Sequence, residues 1–98
     1  MSVEDEFRSR GLARGGVLLL QPRDALEMVG RAREARVVVL GVDGFWITDD
    51  TTQPDLEHSI DLGADESSWE AAARFIDERL ESGLRFEVVL DEESGARA

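Results

Sequence analysis

The most reactive side chains in this sequence are a lone histidine and a surplus of carboxylates. His58 is the only histidine, cysteine is absent, and Asp and Glu together number 22. Ser59 follows His58, the two residue types that a nucleophile and its base would need. Both lie in residues 56–62, where apolar and polar side chains alternate. Alternation with period two turns neighbours to opposite faces, so Ser59 points away from the imidazole. His58 therefore reads as a half-buried structural residue. With no cysteine and one histidine, zinc would need three carboxylates around a single imidazole, an unusual ligand set. The lack of lysine removes Schiff-base and lysine-base chemistry as well. The reading is of no catalytic residue, no metal and no cofactor.

The acidic stretch around Asp49, Asp50, Asp55 and Glu57 invites a test for a hard cation. Aligned from Asp49, it fails the EF-hand pattern. Pro54 takes the glycine position and Ile60 that of the final glutamate. Residues 11–16 are glycine-rich but precede a strand, whereas a phosphate-cradling loop follows one and opens a helix. Nucleotide binding by those routes is excluded.

Charge narrows the partners further. The net charge is −11. Through Arg36 there are six acidic and seven basic side chains; beyond it there are sixteen and four. A negative field over that larger part repels nucleic-acid backbones and favours a basic protein. No apolar run approaches the roughly 18 residues of a membrane span, and the acidic start lacks the basic and apolar regions of a secretory signal. A cytoplasmic protein is expected.

These residues must be positioned by elements that the pattern also indicates. The strongest local signal is residues 36–48, two β-branched and aromatic runs flanking Asp43-Gly44, which predicts a hairpin with its turn there. Residues 17–20 read as a buried strand, residues 56–62 as a half-buried one and residues 85–90 as a last strand. Pro22 and Asp24 mark the start of a first helix with Leu26, Val29 and Ala32 inward, and Gly30 implies a close approach to the sheet. A second helix follows Ser67 and Glu70, which have the spacing of a capping box. Its stripe is Trp69, Ala72, Ala73, Ile76 and Leu80, and Gly83 closes it in the left-handed conformation with Leu84 following.

The predicted order is β-α-β-β-β-α-β. It implies an α+β, two-layer α/β sandwich with a mixed five-stranded sheet and two helices on one face. This resembles a ferredoxin-like arrangement with an extra strand, an analogy that confers no function. Residues 16–91 form the domain, with a flexible arm over 1–15 and an acidic tail over 92–98.

In the predicted hairpin, Val37, Val39, Gly41, Trp46 and Thr48 share the face turned away from the helices, with Trp46 over Gly41. An apolar centre within a charged rim is how interfaces are built. The expected function is a non-catalytic interaction module that binds itself as a homodimer or a basic protein. Its contacts would be Val37, Val39, Trp46 and Thr48, with Asp49, Asp50, Asp55 and Glu57 as charged partners. Small acidic inhibitors of the immunity-protein type are similar in size and charge, without a shared motif. The alternative is a dimeric regulatory domain that takes a small ligand near Gln21 and Arg23.

Overall fold

Asp43 and Gly44 do not make a turn. In the computed structural model, which describes residues 2–63 and 67–92, they lie inside one continuous strand. The chain forms helix α1 (Val3–Phe7), a 3-10 turn (Arg8–Arg10), strands β1 (Leu12–Arg14) and β2 (Val17–Leu19), and helix α2 (Pro22–Glu34). Strands β3 (Val38–Ile47) and β4 (Thr52–Asp61), helix α3 (Ser68–Asp77) and strand β5 (Arg85–Asp91) complete it. The fold is α+β, but its strands divide between two antiparallel sheets, a β1–β2 hairpin and a three-stranded sheet ordered β4-β3-β5. They touch where Leu20 and Phe86 exchange backbone hydrogen bonds of 2.8 Å in both directions. One sheet of five strands does not form because β3 absorbs the two strands expected on either side of Asp43-Gly44. The hairpin turn is instead at residues 48–51. No helix among the described residues is long and apolar enough to cross a membrane.

The stretch expected to be a loose arm carries structure from residue 2 onward. Ser2 caps α1, its Oγ accepting the Asp5 N–H at 3.1 Å while an Asp5 carboxylate oxygen accepts the Ser2 N–H at 3.3 Å. Val3 and Phe7 are buried in the core. Arg31 of α2 reaches Glu6 at 3.0 Å, and Arg10 spans Asp24 and Glu27, both at 2.6 Å. Exposed pairs of this kind stabilise little individually, so the buried Val3 and Phe7 are what hold α1 in place. Of the expected tail, residues 93–98 lie outside the described residues, as do residues 64–66 before α3.

Helix α2 starts at Pro22 with Asp24 in its first turn, where a missing N–H is harmless and a carboxylate favourable. It ends in a Schellman motif: Val37 N–H donates to Ala32 O at 2.8 Å and Arg36 N–H to Arg33 O at 3.1 Å. Arg36 adopts φ +59° where glycine is usual. Gly30 is exposed, and a Cβ there would meet nothing within 4 Å. The close approach expected at Gly30 is therefore absent, because this residue faces away from the sheet. Gly30→Ala should raise stability by about 1 kcal/mol, measured by urea denaturation.

Helix α3 begins after Ser67, whose side chain makes no capping hydrogen bond, so the expected box with Glu70 does not form. The neighbouring Ser68 hydroxyl is buried without a hydrogen-bond partner among the described residues. Ala72 and Ile76 are buried as expected, and Phe75 joins them. The helix ends at Asp77, with Glu78 as its C-cap, so Leu80 lies in the turns beyond it. Gly83, at φ +84°, therefore does not close the helix as expected; Leu84 behind it is buried.

The core lies between α2 and α3 and one face of the three-stranded sheet. Val37, Val39, Val42, Phe86 and Val88 meet Ala25, Met28, Val29 and Ala32 of α2, and Ala72, Phe75 and Ile76 of α3. Val37 and Val39, expected on the open face, are thus under the helices. A one-residue bulge explains this: Val39 pairs with Leu90 but Gly41 with Val89, leaving Leu40 without a partner in β5 and 36% exposed. An extra residue inverts the alternation beyond it, so Val39 and Val42 both point inward.

Candidate functional site

A second, larger bulge shapes the exposed end of the β3–β4 hairpin. Asp43 pairs with Ser59 and the next residue, Gly44, with Asp55, so Leu56, Glu57 and His58 have no counterpart in β3. The bulge is closed at its base by short-range hydrogen bonds. Ser59 Oγ donates to Asp55 O at 2.8 Å and accepts Gly44 N–H at 3.3 Å, while Glu57 N–H donates to an Asp55 carboxylate oxygen at 3.0 Å. His58 O folds directly over Gly44, where a Cβ would collide with it. Gly44 is therefore required by close backbone approach, not by a turn.

Two long side chains anchor this structure from elsewhere in the chain. Arg79, beyond α3, donates through Nε to His58 Nδ1 at 3.0 Å and through Nη1 to Phe75 O at 3.0 Å. Its guanidinium lies 3.8 Å over the Phe75 ring. The His58 Nδ1 lone pair is thus occupied, and the Ser59 hydroxyl is committed to a carbonyl. Arg14, at the end of β1, donates to Thr48 O at 2.9 Å, Thr51 O at 3.1 Å and Thr52 Oγ1 at 3.3 Å, binding the turn from below. Within that turn, Thr51 N–H donates to Thr48 Oγ1 at 3.0 Å, leaving Asp49 and Asp50 exposed at the tip.

Trp46 joins turn and bulge. Its Nε1–H donates to Asp55 Oδ2 at 2.8 Å, and its ring meets His58 edge-on with centroids 6.3 Å apart. The ring lies toward Gly83 and not over Gly41, which pairs with Asp61 further along β3. Trp46 is 40% exposed and Leu56 88% exposed. Both line a shallow depression of about 460 Å³ with Asp55 and Glu57. The hydrogen bond from Trp46, helped by the Glu57 N–H, holds the Asp55 carboxyl below its usual range, so it is an anion at neutral pH.

The expected contact residues therefore separate into three groups. Trp46, Thr48, Asp49, Asp50, Asp55 and Glu57 converge at this end of the hairpin. Val37 and Val39 are in the core. Gln21 and Arg23 line a different groove, at the start of α2, together with Arg85. Leu56, Arg14 and Arg79 escape the sequence reading: alternation over residues 56–62 groups Leu56 with His58 on the half-buried face, and no local pattern announces the two arginines. Among the described residues no three acidic or imidazole groups converge to hold a metal ion.

On the opposite sheet face Asp43 stands across from Ser59 and Glu87. Burial, then the nearby charges of Asp61 for Asp43 and of Asp43 and Glu4 for Glu87, push both carboxyls above their usual ranges. A carboxyl with a raised folded-state pKa favours folding when protonated, and that contribution fades as pH rises through the raised value. Asp43→Asn should thus stabilise the domain at pH 7 by a few tenths of a kcal/mol, given partial screening. The gain should shrink as pH falls through the raised Asp43 value and be gone below the ordinary Asp range, as paired denaturation curves at neutral and acidic pH would show.

No protein-family model matches this chain, and no curated protein matches it. The surface chemistry at the β3–β4 hairpin is therefore the guide to function.

Proposed function

We propose that this domain is a non-catalytic interaction module that captures a basic, apolar-tipped segment of a partner protein on the β4 bulge. Leu56 and Trp46 supply the anchor, and Asp49, Asp50, Asp55 and Glu57 the rim. The observation that carries this reading is Leu56, 88% exposed on a bulge whose base is hydrogen-bonded shut. Burying a leucine against a partner is favourable by about 1.5–3 kcal/mol, and a braced loop loses little further freedom on binding. The rim steers a cationic segment and orients it. It also weighs against the homodimer: two copies meeting here would oppose the same four carboxylates. Inhibition of a basic protein is a role that such a surface serves.

The test is selection from a displayed peptide library, followed by titration of the winners. Enriched peptides should place Arg or Lys beside an apolar residue, and Leu56→Asp should weaken them by at least about tenfold, which is 1.4 kcal/mol. Affinity should fall steeply with salt. Peptides that bind Leu56→Asp as tightly as the parent protein, or that ignore salt, would sink the proposal.

One observation favours a second reading, the ligand-binding regulatory domain. Arg85 joins Gln21 and Arg23 around their groove, and among the described residues neither arginine has a side-chain partner. A thermal shift with small anions and none with basic peptides would support it over the first.

A further inference from the structure

Helices α2 and α3 pack against each other, and their outer surfaces enclose a groove of about 310 Å³. That volume is at the lower end of small-molecule sites. Its walls are Leu26 and Val29 of α2 and Trp69 and Ala73 of α3. Trp69 Nε1–H donates to Val37 O at 2.9 Å, which fixes the indole as a preformed wall. Gly30 lines the groove, and a Cβ there would touch nothing. A glycine inside a helix lowers stability, and here no packing contact demands one. What its missing side chain does is keep the groove open.

The lip of the groove has an unusual charge for so acidic a protein. Arg33 and Arg74 both line it, and neither makes an ion pair or side-chain hydrogen bond with any residue described. Arg8, Arg10 and Arg31, by contrast, each contact two carboxylates. Among the described residues, Glu70 is the single acid on the lip. Two guanidinium groups with unused donors beside an apolar, aromatic-walled groove suit one ligand chemistry: a carboxylate head carried on an apolar body.

We propose that the α2–α3 groove is a binding site for a small amphiphilic monocarboxylate, its apolar body against Trp69, Leu26 and Val29 and its head held by Arg33 and Arg74. The site is on different elements from the β4 bulge and stands independently of the proposal made for that bulge.

Octanoate is the probe, titrated into the full chain by calorimetry, with 1-octanol as its uncharged counterpart and amide NMR to locate the site. Saturable octanoate binding at millimolar concentration or below is expected, with shifts at Gly30, Ala73 and the Trp69 indole N–H. Octanol should bind at least about tenfold more weakly. Combined Arg33→Gln and Arg74→Gln should weaken octanoate by a similar factor, and Gly30→Leu should abolish binding by filling the groove. All three residues are exposed, so thermal melts should show these variants folded. Basic peptides selected on the bulge should bind Gly30→Leu unchanged. No saturable binding, shifts confined to other elements, equal affinity for octanol, or an undiminished double-glutamine variant would each overturn the site.

Discussion

Gly44→Ala should cost this domain about 3 kcal/mol, near the upper end for a single substitution. The added Cβ collides with His58 O, a backbone atom that no rotamer change can move. Relief requires the bulge to shift, and the bulge is held by Ser59 Oγ, Asp55 and the Arg79–His58 hydrogen bond. Moving it would strain or break several of these together. Urea denaturation reads the loss directly. The same variant should weaken any peptide that depends on Leu56, because Leu56 rides on the displaced segment. Gly30→Ala is the contrasting case, with open space where Gly44 has a carbonyl. A cost below about 1 kcal/mol at Gly44 would mean that the bulge repacks easily, and Leu56 would then lose its status as a preset anchor.

Phe86→Ala should have the larger effect, a loss of about 3–5 kcal/mol. Phe86 is fully buried and meets Phe75 edge-to-face, with centroids 6.3 Å apart and planes at 75°. Its backbone is also the junction between the two sheets, through the paired hydrogen bonds to Leu20. The void left by the ring would therefore loosen Phe75, and Phe75 is the platform on which the Arg79 guanidinium rests before reaching His58. Denaturation measures the stability term. The Arg79 Nε–H resonance in NMR spectra measures the coupling, and it should broaden or shift although Phe86 is in β5 and His58 in β4. Leu40→Ala, at an exposed bulge position, should cost far less. A loss under about 1.5 kcal/mol for Phe86→Ala would show that the core collapses around the vacancy.

The acid-base balance of the domain divides between its two sheet faces. Asp55 sits below its ordinary range and contributes stability that is lost as pH falls through that depressed value; Asp43 and Glu87 sit above theirs and act in the opposite sense. A pH profile of the parent protein mixes both, which is why Asp43→Asn is read as a difference from it.

Local chemistry alone determined the pieces whose causes are local. Pro22 and Asp24 start α2, Gly83 takes a left-handed conformation although in the connection before β5 and not at the end of α3, and residues 85–90 alternate as β5 does. The stripe of Ala72 and Ile76 and the acidic surplus are legible in the sequence too. The gathering of Trp46 with Asp55 and Glu57 on one hairpin is not, because turn chemistry places the hairpin at residues 36–48 and residues 56–62 on a separate strand. Asp43-Gly44 shows where this stops. Turn propensity is a preference of a few residues, whereas a continuous β3 gains pairing with both β4 and β5 and buries Val39 and Val42. Once β3 continues, glycine at position 44 answers to the backbone crossing above it.

The two bulges lay beyond the sequence for a related reason. Register between strands is decided by the whole set of cross-strand pairs, and one extra residue at Leu40 inverts which valines are buried. Three extra residues in β4 take Leu56 from the half-buried face that alternation implies and make it the most exposed large apolar side chain among those described. Arg14 and Arg79 arrive at the hairpin from 34 and 21 residues away along the chain. Only the folded chain brings such groups together, because contacts at that separation follow from packing and carry no period in the sequence.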